Sequence, residues 1–263
     1  MKKQVLFVHG GGEGAHEEDK KLATSLRDAL GSDYDVRCPK MPDEGSPEYE
    51  AWRDLISEEL AALDVEVILV GHSLGASVLL KYLSEEESEK PVVGLFLVAP
   101  PYWGAEDWEV GEYALQADFA SELPERQRMF FYHSRDDEWV PFAHLALYAE
   151  KLPRATIREF DDRGHQFDDD LSEVARDIEN LKAMEVVRPN DVTTIAFDRQ
   201  ETDLPAGLGK PARRALLAAG YRRLGQLSEL SEAEVKQLHG VGPKALERLR
   251  RALDDNGLSF AER

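Results

Sequence analysis

The sequence predicts an α/β protein, a doubly wound and mostly parallel sheet, with a small all-α domain behind it. Two observations carry the first part. Short β-branched or aliphatic runs alternate with amphipathic helical stretches, the pattern of consecutive βαβ units. Two of the runs, Val67-Ile68-Leu69-Val70 and Leu95-Phe96-Leu97-Val98, are apolar without alternation, as strands covered on both faces require. The second part rests on a change of charge near residue 204. Residues 1–203 carry 21 Lys and Arg against 45 Asp and Glu, a net of −24, whereas residues 204–263 carry 11 against 7, a net of +4. Such asymmetry marks two units with separate tasks.

In chain order, the expected strands are Gln4–His9, Tyr34–Cys38, Val65–Gly71, Val92–Ala99, Met129–Ser134 and Thr156–Phe160. Helical patterns fall at His16–Leu30, Tyr49–Asp64, Leu74–Glu86, Val140–Lys151 and Leu171–Met184. The rhythm breaks from Pro100 to Pro124, a segment too long for a simple connection that carries Tyr102, Trp103, Trp108 and Tyr113. It reads either as a small cap over a pocket, with Tyr102, Trp103 and Trp108 as candidate substrate contacts, or as an irregular helix on the surface. We expect a first domain over 1–184 and a linker over 185–203, where Arg188-Pro189-Asn190-Asp191 breaks the helical pattern. Val192–Phe197 is a candidate edge strand inside that linker. The tail, 204–263, holds a weak repeat: Gly207-Leu208-Gly209 and Gly240-Val241-Gly242 each precede a helical pattern.

Composition sets the outer limits. An apolar fraction of 42% suffices for a sizeable core, and no apolar run reaches the roughly 18 residues needed to cross a bilayer. Met1-Lys2-Lys3-Gln4-Val5-Leu6-Phe7-Val8 has the start of a signal peptide but runs into glycines without a small-residue cleavage site, so it is read as a buried strand. The single cysteine, Cys38, cannot form an intrachain disulfide. A cytoplasmic protein without membrane contact is expected. Its acidic body repels nucleic acid, and the basic tail is the part suited to weak contact with DNA or a protein partner.

The chemistry is concentrated in three places. Gly71-His72-Ser73-Leu74-Gly75 fits G-x-S-x-G between an apolar strand and a helix, the setting of a nucleophile elbow. Glycines flank the serine because the sharp turn leaves no room for side chains there. A serine hydroxyl needs a base. Of the seven histidines, His165 follows the last strand in Arg163-Gly164-His165-Gln166-Phe167, at the carboxyl edge where doubly wound folds bind ligands. Asp136 and Asp137 follow the fifth strand at the same edge, and either can orient that base. Leu74 N–H and a second N–H from His9-Gly10-Gly11-Gly12, with Gly11 first choice, are the candidate oxyanion donors. His9 and His72 stand in glycine-rich turns beside the elbow, where the geometry favours structural roles; His9 is also a candidate pocket residue, and His133 a support for the acid. No His/Cys/Asp cluster has ligand spacing, so no metal or organic cofactor is expected.

These pieces, with Ala99-Pro100-Pro101 and Val140-Pro141, resemble the α/β-hydrolase superfamily over residues 1–184. Within it they look most like small serine hydrolases related to human retinoblastoma-binding protein nine and the YdeN-type bacterial hydrolases. The resemblance places the acid three residues before the Val of Val-Pro, which selects Asp137. It implies a Ser73–His165–Asp137 triad cleaving a small ester, thioester or amide substrate through an acyl-enzyme. The tail resembles the C-terminal domain of the RNA polymerase α subunit, a helix-hairpin-helix relative, through Leu216–Tyr221, Leu227, Leu230 and Leu238–Leu246. Lys244 stands where that family places a DNA-contacting lysine. Its main arginine would align near Pro211 and is missing, with Lys210, Arg213 and Arg214 close by.

Overall fold

The computed structural model describes residues 2–63, 66–86, 88, 90–105, 108, 111–124, 128–185, 203–205, 208–238 and 241–261, without the side chains of 182–185, 210, 211, 214 and 218. Nearly all of the expected linker, with its candidate edge strand, lies outside these residues, as do Gly207, His239 and Gly240. The chain divides into two compact units, one of residues 1–84 and 88–188, the other of 85–87 and 189–263.

The first unit is built on six parallel strands, β1 (Lys3–Val8), β2 (Tyr34–Arg37), β3 (Val67–His72), β4 (Val92–Val98), β5 (Met129–Ser134) and β6 (Thr156–Phe160), in the order β2-β1-β3-β4-β5-β6. The chain leaves β1 in one direction and, from β3 onward, fills the sheet in the other. That reversal makes the gap between the ends of β1 and β3 a switch point, where the following loops diverge to opposite faces. Register aligns the strand ends there, Val8 with Gly71 and His72 with Val98.

Helices cover both faces: α1 (Ala15–Leu30), α2 (Tyr49–Ala61), α3 (Leu74–Glu85), the short α4 (Phe119–Glu122), α5 (Ala143–Lys151) and α6 (Ser172–Glu185). Strand side chains alternate between two cores, as a pleat requires. Leu6, Val8, Leu69, Leu95 and Phe131 join Trp52, Ile56, Leu79, Leu83 and Tyr148 on one side. Val5, Phe7, Val70, Phe96 and Tyr132 join Leu22, Leu26, Val174 and Ile178 on the other. α3 is buried from Leu74 to Ser84, which explains why its sequence is apolar nearly all round. α5 starts at Ala143 rather than at Val140 as expected, because Val140 N–H is bound to Asp137 Oδ1 and Val140 O accepts from His133. Those bonds hold residue 140 in the turn before the helix.

The described part of the second unit is helical: α7 (Lys210–Ala218), α8 (Leu224–Leu227), α9 (Glu232–Lys236) and α10 (Pro243–Asp255). Leu208, Leu216, Leu227, Val235, Leu249 and Leu253 form its core. Ser231 and Glu234 cap α9 reciprocally, and Pro243 opens α10, where a missing N–H costs nothing.

The packing of α3 on β1 yields a stability test. A Cβ on Gly75 would run into the carbonyl oxygens of Val8 and His9, which are backbone and cannot swing aside, whereas one on Gly45 meets nothing nearer than 3.9 Å. Gly75→Ala should lower stability in urea by about 2 kcal/mol or more, with Gly45→Ala close to wild type. Equal midpoints for the two variants would contradict the close approach.

Candidate active site

Ser73 joins β3 to α3 with φ of +50°, a left-handed conformation rare outside glycine and asparagine or aspartate. The turn is held from both sides, with Ser73 N–H donating to Val98 O at 2.8 Å and Ala76 N–H to Ser73 O at 3.1 Å. At Gly71 a Cβ would lie 2.6 Å from Ala76 Cα, which is why the elbow admits no side chain there. Leu74 opens the helix, so its N–H has no intrahelical acceptor. The glycine loop after β1 lies alongside: a Cβ on Gly10 would sit 3.4 Å from Ser73 Cβ, and one on Gly11 would run into the Leu74 side chain. The two candidate oxyanion donors, Gly11 and Leu74, are therefore neighbours. Gly12 N–H is already engaged, donating to Glu44 O at 2.6 Å.

Two consecutive aspartates divide the work at the end of β5. His165 Nδ1 lies 3.0 Å from Asp137 Oδ1 and 2.9 Å from Oδ2. Asp137 also accepts from Trp139 N–H at 2.9 Å and Val140 N–H at 2.8 Å, and His133 Nε2 lies 3.2 Å from Oδ2. Burial alone would raise this carboxyl, but hydrogen bonds from His133 and His165, the charge of His165 and the Val140 N–H together hold it far below the usual range. Asp136 instead grips the backbone just before His165, accepting from Gly164 N–H at 3.0 Å and Arg163 N–H at 3.2 Å. Nδ1 is the ring nitrogen that faces Asp137, and Nε2 lies on the other edge of the imidazole.

The loop beyond His165 is strained. Phe167, Asp168 and Asp169 all have φ between +51° and +55°, a left-handed turn of three non-glycine residues. The Phe167 side chain is buried, its ring 5.4 Å from that of Phe160, and this packing holds the turn in place.

The other histidines near the elbow have structural partners. His9 is fully buried; its Nδ1 donates to Gly10 O at 2.6 Å and its Nε2 accepts from Met41 N–H at 2.9 Å. Burial lowers its pKa, consistent with a neutral ring, and both nitrogens are spent on backbone. The expectation that His9 lines a substrate pocket is thus corrected: it braces the glycine loop. His72, the residue before Ser73, pairs with Asp19 of α1, and its ring lies 4.8 Å from that of His165. Asp19 was missed in the sequence because it sits in an amphipathic helical pattern where an acidic residue signals solvent. Only the glycine turn preceding that helix hinted that its first turns lie under the site.

Tyr102, Trp103 and Trp108 are half-buried and meet one another's surroundings rather than open solvent. Trp103 contacts Trp108 at 5.1 Å and Tyr113 at 4.9 Å between ring centres, and Trp108 packs on His144 at 5.3 Å. The segment is tied down by Lys81 Nζ donating to Ala114 O at 2.9 Å and by Tyr113 OH donating to Pro47 O. In the second unit Lys244 is exposed, while Arg213 is half-buried and donates from Nη2 to the carbonyls of Leu204 and Pro205. The side chains of Lys210 and Arg214 lie outside the described residues. No helix among those residues is long and apolar enough to cross a membrane.

A parallel sheet of this order, with a Gly-x-Ser-x-Gly turn after its third strand, is the fold of α/β-hydrolases, and solved structures of that fold superpose on it. Within the class, the chain belongs to the serine hydrolase family, whose profile matches residues 7–170. It is similar to the Bacillus subtilis (strain 168) hydrolase homologue YdeN, 24% identical over 176 residues that make up 65% of this chain and 89% of YdeN. The YdeN crystal structure superposes with a TM-score of 0.55 at 22% identity, over 69% of this chain and 100% of that one. The serine hydrolase CCSP0084 of Cycloclasticus zankles gives a TM-score of 0.55 at 14% identity, over 72% of this chain and 92% of its own. CarC, a serine hydrolase involved in carbazole degradation, gives 0.55 at 15% identity, over 69% and 91%.

The depressed Asp137 carboxyl ties stability to acid. Its folded pKa lies below the unfolded value near 3.9, so through that window the unfolded chain binds more protons and stability rises with pH. The contribution is complete above about pH 5 and is lost as pH falls through the folded value. Urea unfolding between about pH 3 and 6 should show a shallower acid loss in Asp137→Asn than in wild type. Parallel curves would mean that its neighbours do not stabilise the ionised form.

Proposed function

We propose that this hydrolase cleaves a small ester, thioester or amide through an acyl-enzyme on Ser73. The observation that carries the reading is the Asp137–His165 pair, with both carboxylate oxygens within 3.0 Å of Nδ1, on a loop whose carbonyl is bonded to the residue before Ser73. In this reading Ser73 Oγ attacks the carbonyl carbon while His165 Nε2 takes its proton. The negative charge on the carbonyl oxygen is received by the N–H groups of Leu74 and Gly11. Collapse breaks the bond to the leaving group, which takes the proton from His165. Water then attacks the acyl carbon with His165 again as base, and Ser73 leaves reprotonated. Asp137 fixes the tautomer and offsets the imidazolium charge. The segment of Tyr102, Trp103 and Trp108, which follows β4 at the carboxyl edge, is the proposed wall of a small acyl site. Its short, tied-down form favours a compact substrate over a long-chain lipid. The finer kinship with the type of retinoblastoma-binding protein nine is part of the same proposal.

For the tail, residues 204–263, the proposal remains a helix-hairpin-helix domain making weak contact with DNA or a protein partner. Exposed Lys244, in the first turn of α10, supports it.

A fluorophosphonate probe read by intact mass tests the enzyme. Wild type should gain one adduct, and Ser73→Ala none. Asp137→Asn should lose on the order of 10³- to 10⁴-fold in kcat on short nitrophenyl esters, through the wrong imidazole tautomer. A well-folded wild type that takes no adduct would point to an inactive scaffold instead.

A further inference from the structure

Beneath the elbow lies a second aspartate–histidine pair, with no part in the proton transfers set out above. Asp19 and His72 are each 1% exposed. Asp19 Oδ2 accepts from Gly10 N–H at 2.7 Å and lies 2.8 Å from His72 Nδ1, while the Gln166 side chain supplies a further hydrogen bond. On the other edge of the ring, His72 Nε2 stands 3.0 Å from the carbonyl oxygen of His165. A carbonyl oxygen only accepts, so Nε2 carries a proton. A carboxylate that already receives a backbone and an amide donor is held ionised, and then it too only accepts, so Nδ1 carries the second proton.

The partners of this pair are the three segments that hold the candidate site. Gly10 precedes the oxyanion glycine, His72 precedes the nucleophile, and His165 is the base itself. These lie after β1, at the end of β3 and after β6, and no other described carboxylate is bonded to more than one of them. We propose that Asp19 and His72 are positioning residues: a buried carboxylate–imidazolium bridge that fixes the oxyanion loop, the elbow and the base loop relative to one another. The proposal rests on the hydrolase reading above.

The electrostatics agree with this geometry. Burial opposes both charges, yet it is outweighed at each. Asp19 is lowered by the charge and hydrogen bond of His72 and by the Gly10 and Gln166 donors. His72 is raised by the charge and hydrogen bond of Asp19, by the His165 carbonyl and by Asp137. A bridge of this kind acts through other groups, so its loss should be felt in turnover more than in binding. Misplacement of reacting groups by about 1 Å costs on the order of a hundredfold in rate.

The test combines kinetics with the protonation state of one ring, in the full-length chain. Wild type is first labelled at Ser73 with the fluorophosphonate, so that a failure of the hydrolase reading appears there as an absent adduct. Asp19→Asn keeps an acceptor for Gly10 N–H but removes the charge. On p-nitrophenyl acetate it should lose on the order of tenfold to a hundredfold in kcat, with KM within about twofold and the fold intact by circular dichroism. Asp19→Asn, His72→Gln and the double variant should show losses that do not add, as expected of one bridge. Nitrogen-15 spectra of the wild-type imidazoles, with His72 assigned through His72→Gln, should show both ring nitrogens protonated at about pH 8, well above the ordinary value near 6.5. Asp19→Asn with wild-type kcat and labelling rate overturns the proposal. So does a neutral His72 ring at that pH, a result that does not depend on whether any variant folds.

Discussion

The first turn of α3 lies against the end of β1 with no side chain between them, and the site depends on that approach. At Gly71 and Gly75 even one methyl group would meet backbone atoms rather than movable side chains. Because these atoms touch, the free N–H groups at the start of α3 fall beside the glycine loop, and Ser73 is lifted out of the strand in a conformation that serine does not choose by itself. The switch point of the sheet makes the approach available, since the connections after β1 and β3 leave in opposite directions and clear the space between them.

Around that contact, charge is handled by enclosure. Asp137 and Asp19 are both withdrawn from water, and each is surrounded by donors from more than one element. An unpaired carboxylate in either place would cost several kcal/mol, so each pair is as much a condition of folding as of chemistry. Asp136, one residue from Asp137 in the turn after β5, is largely solvated and accepts from the Ser134 hydroxyl and from the backbone of Arg163 and Gly164.

Much of this was readable before any coordinates. The unbroken aliphatic runs of β3 and β4 require burial on both faces, and Gly71-His72-Ser73-Leu74-Gly75 between a strand and a helix has few other uses. The choice between Asp136 and Asp137 was beyond residue chemistry alone, because two adjacent carboxylates near one strand end look alike; a motif spacing selected Asp137, whose Oδ2 lies 2.9 Å from His165 Nδ1. His9, offered both as a structural residue of the glycine turn and as a pocket residue, has the structural place, because Met41 and Trp52 close over it. Asp19 was not singled out, since a helix pattern records which face is apolar and not which polar residue is taken inside. In the second unit, the repeated glycine turns before helical patterns announced a helical domain, but the role of its surface was not written in them.

The left-handed turn after His165 carries a consequence for anyone who would improve this protein. Left-handed backbone costs an L-residue about 1 to 2 kcal/mol, and Phe167, Asp168 and Asp169 adopt it in succession. Asp168 and Asp169 are exposed, so glycine there would relieve the backbone at little loss of packing. A selection for heat resistance that never assays turnover would drift toward glycine at these two positions. It would then accumulate robust molecules whose histidine loop is free to wander, and their failure would be recorded as a defect of chemistry when it was a relaxation of shape.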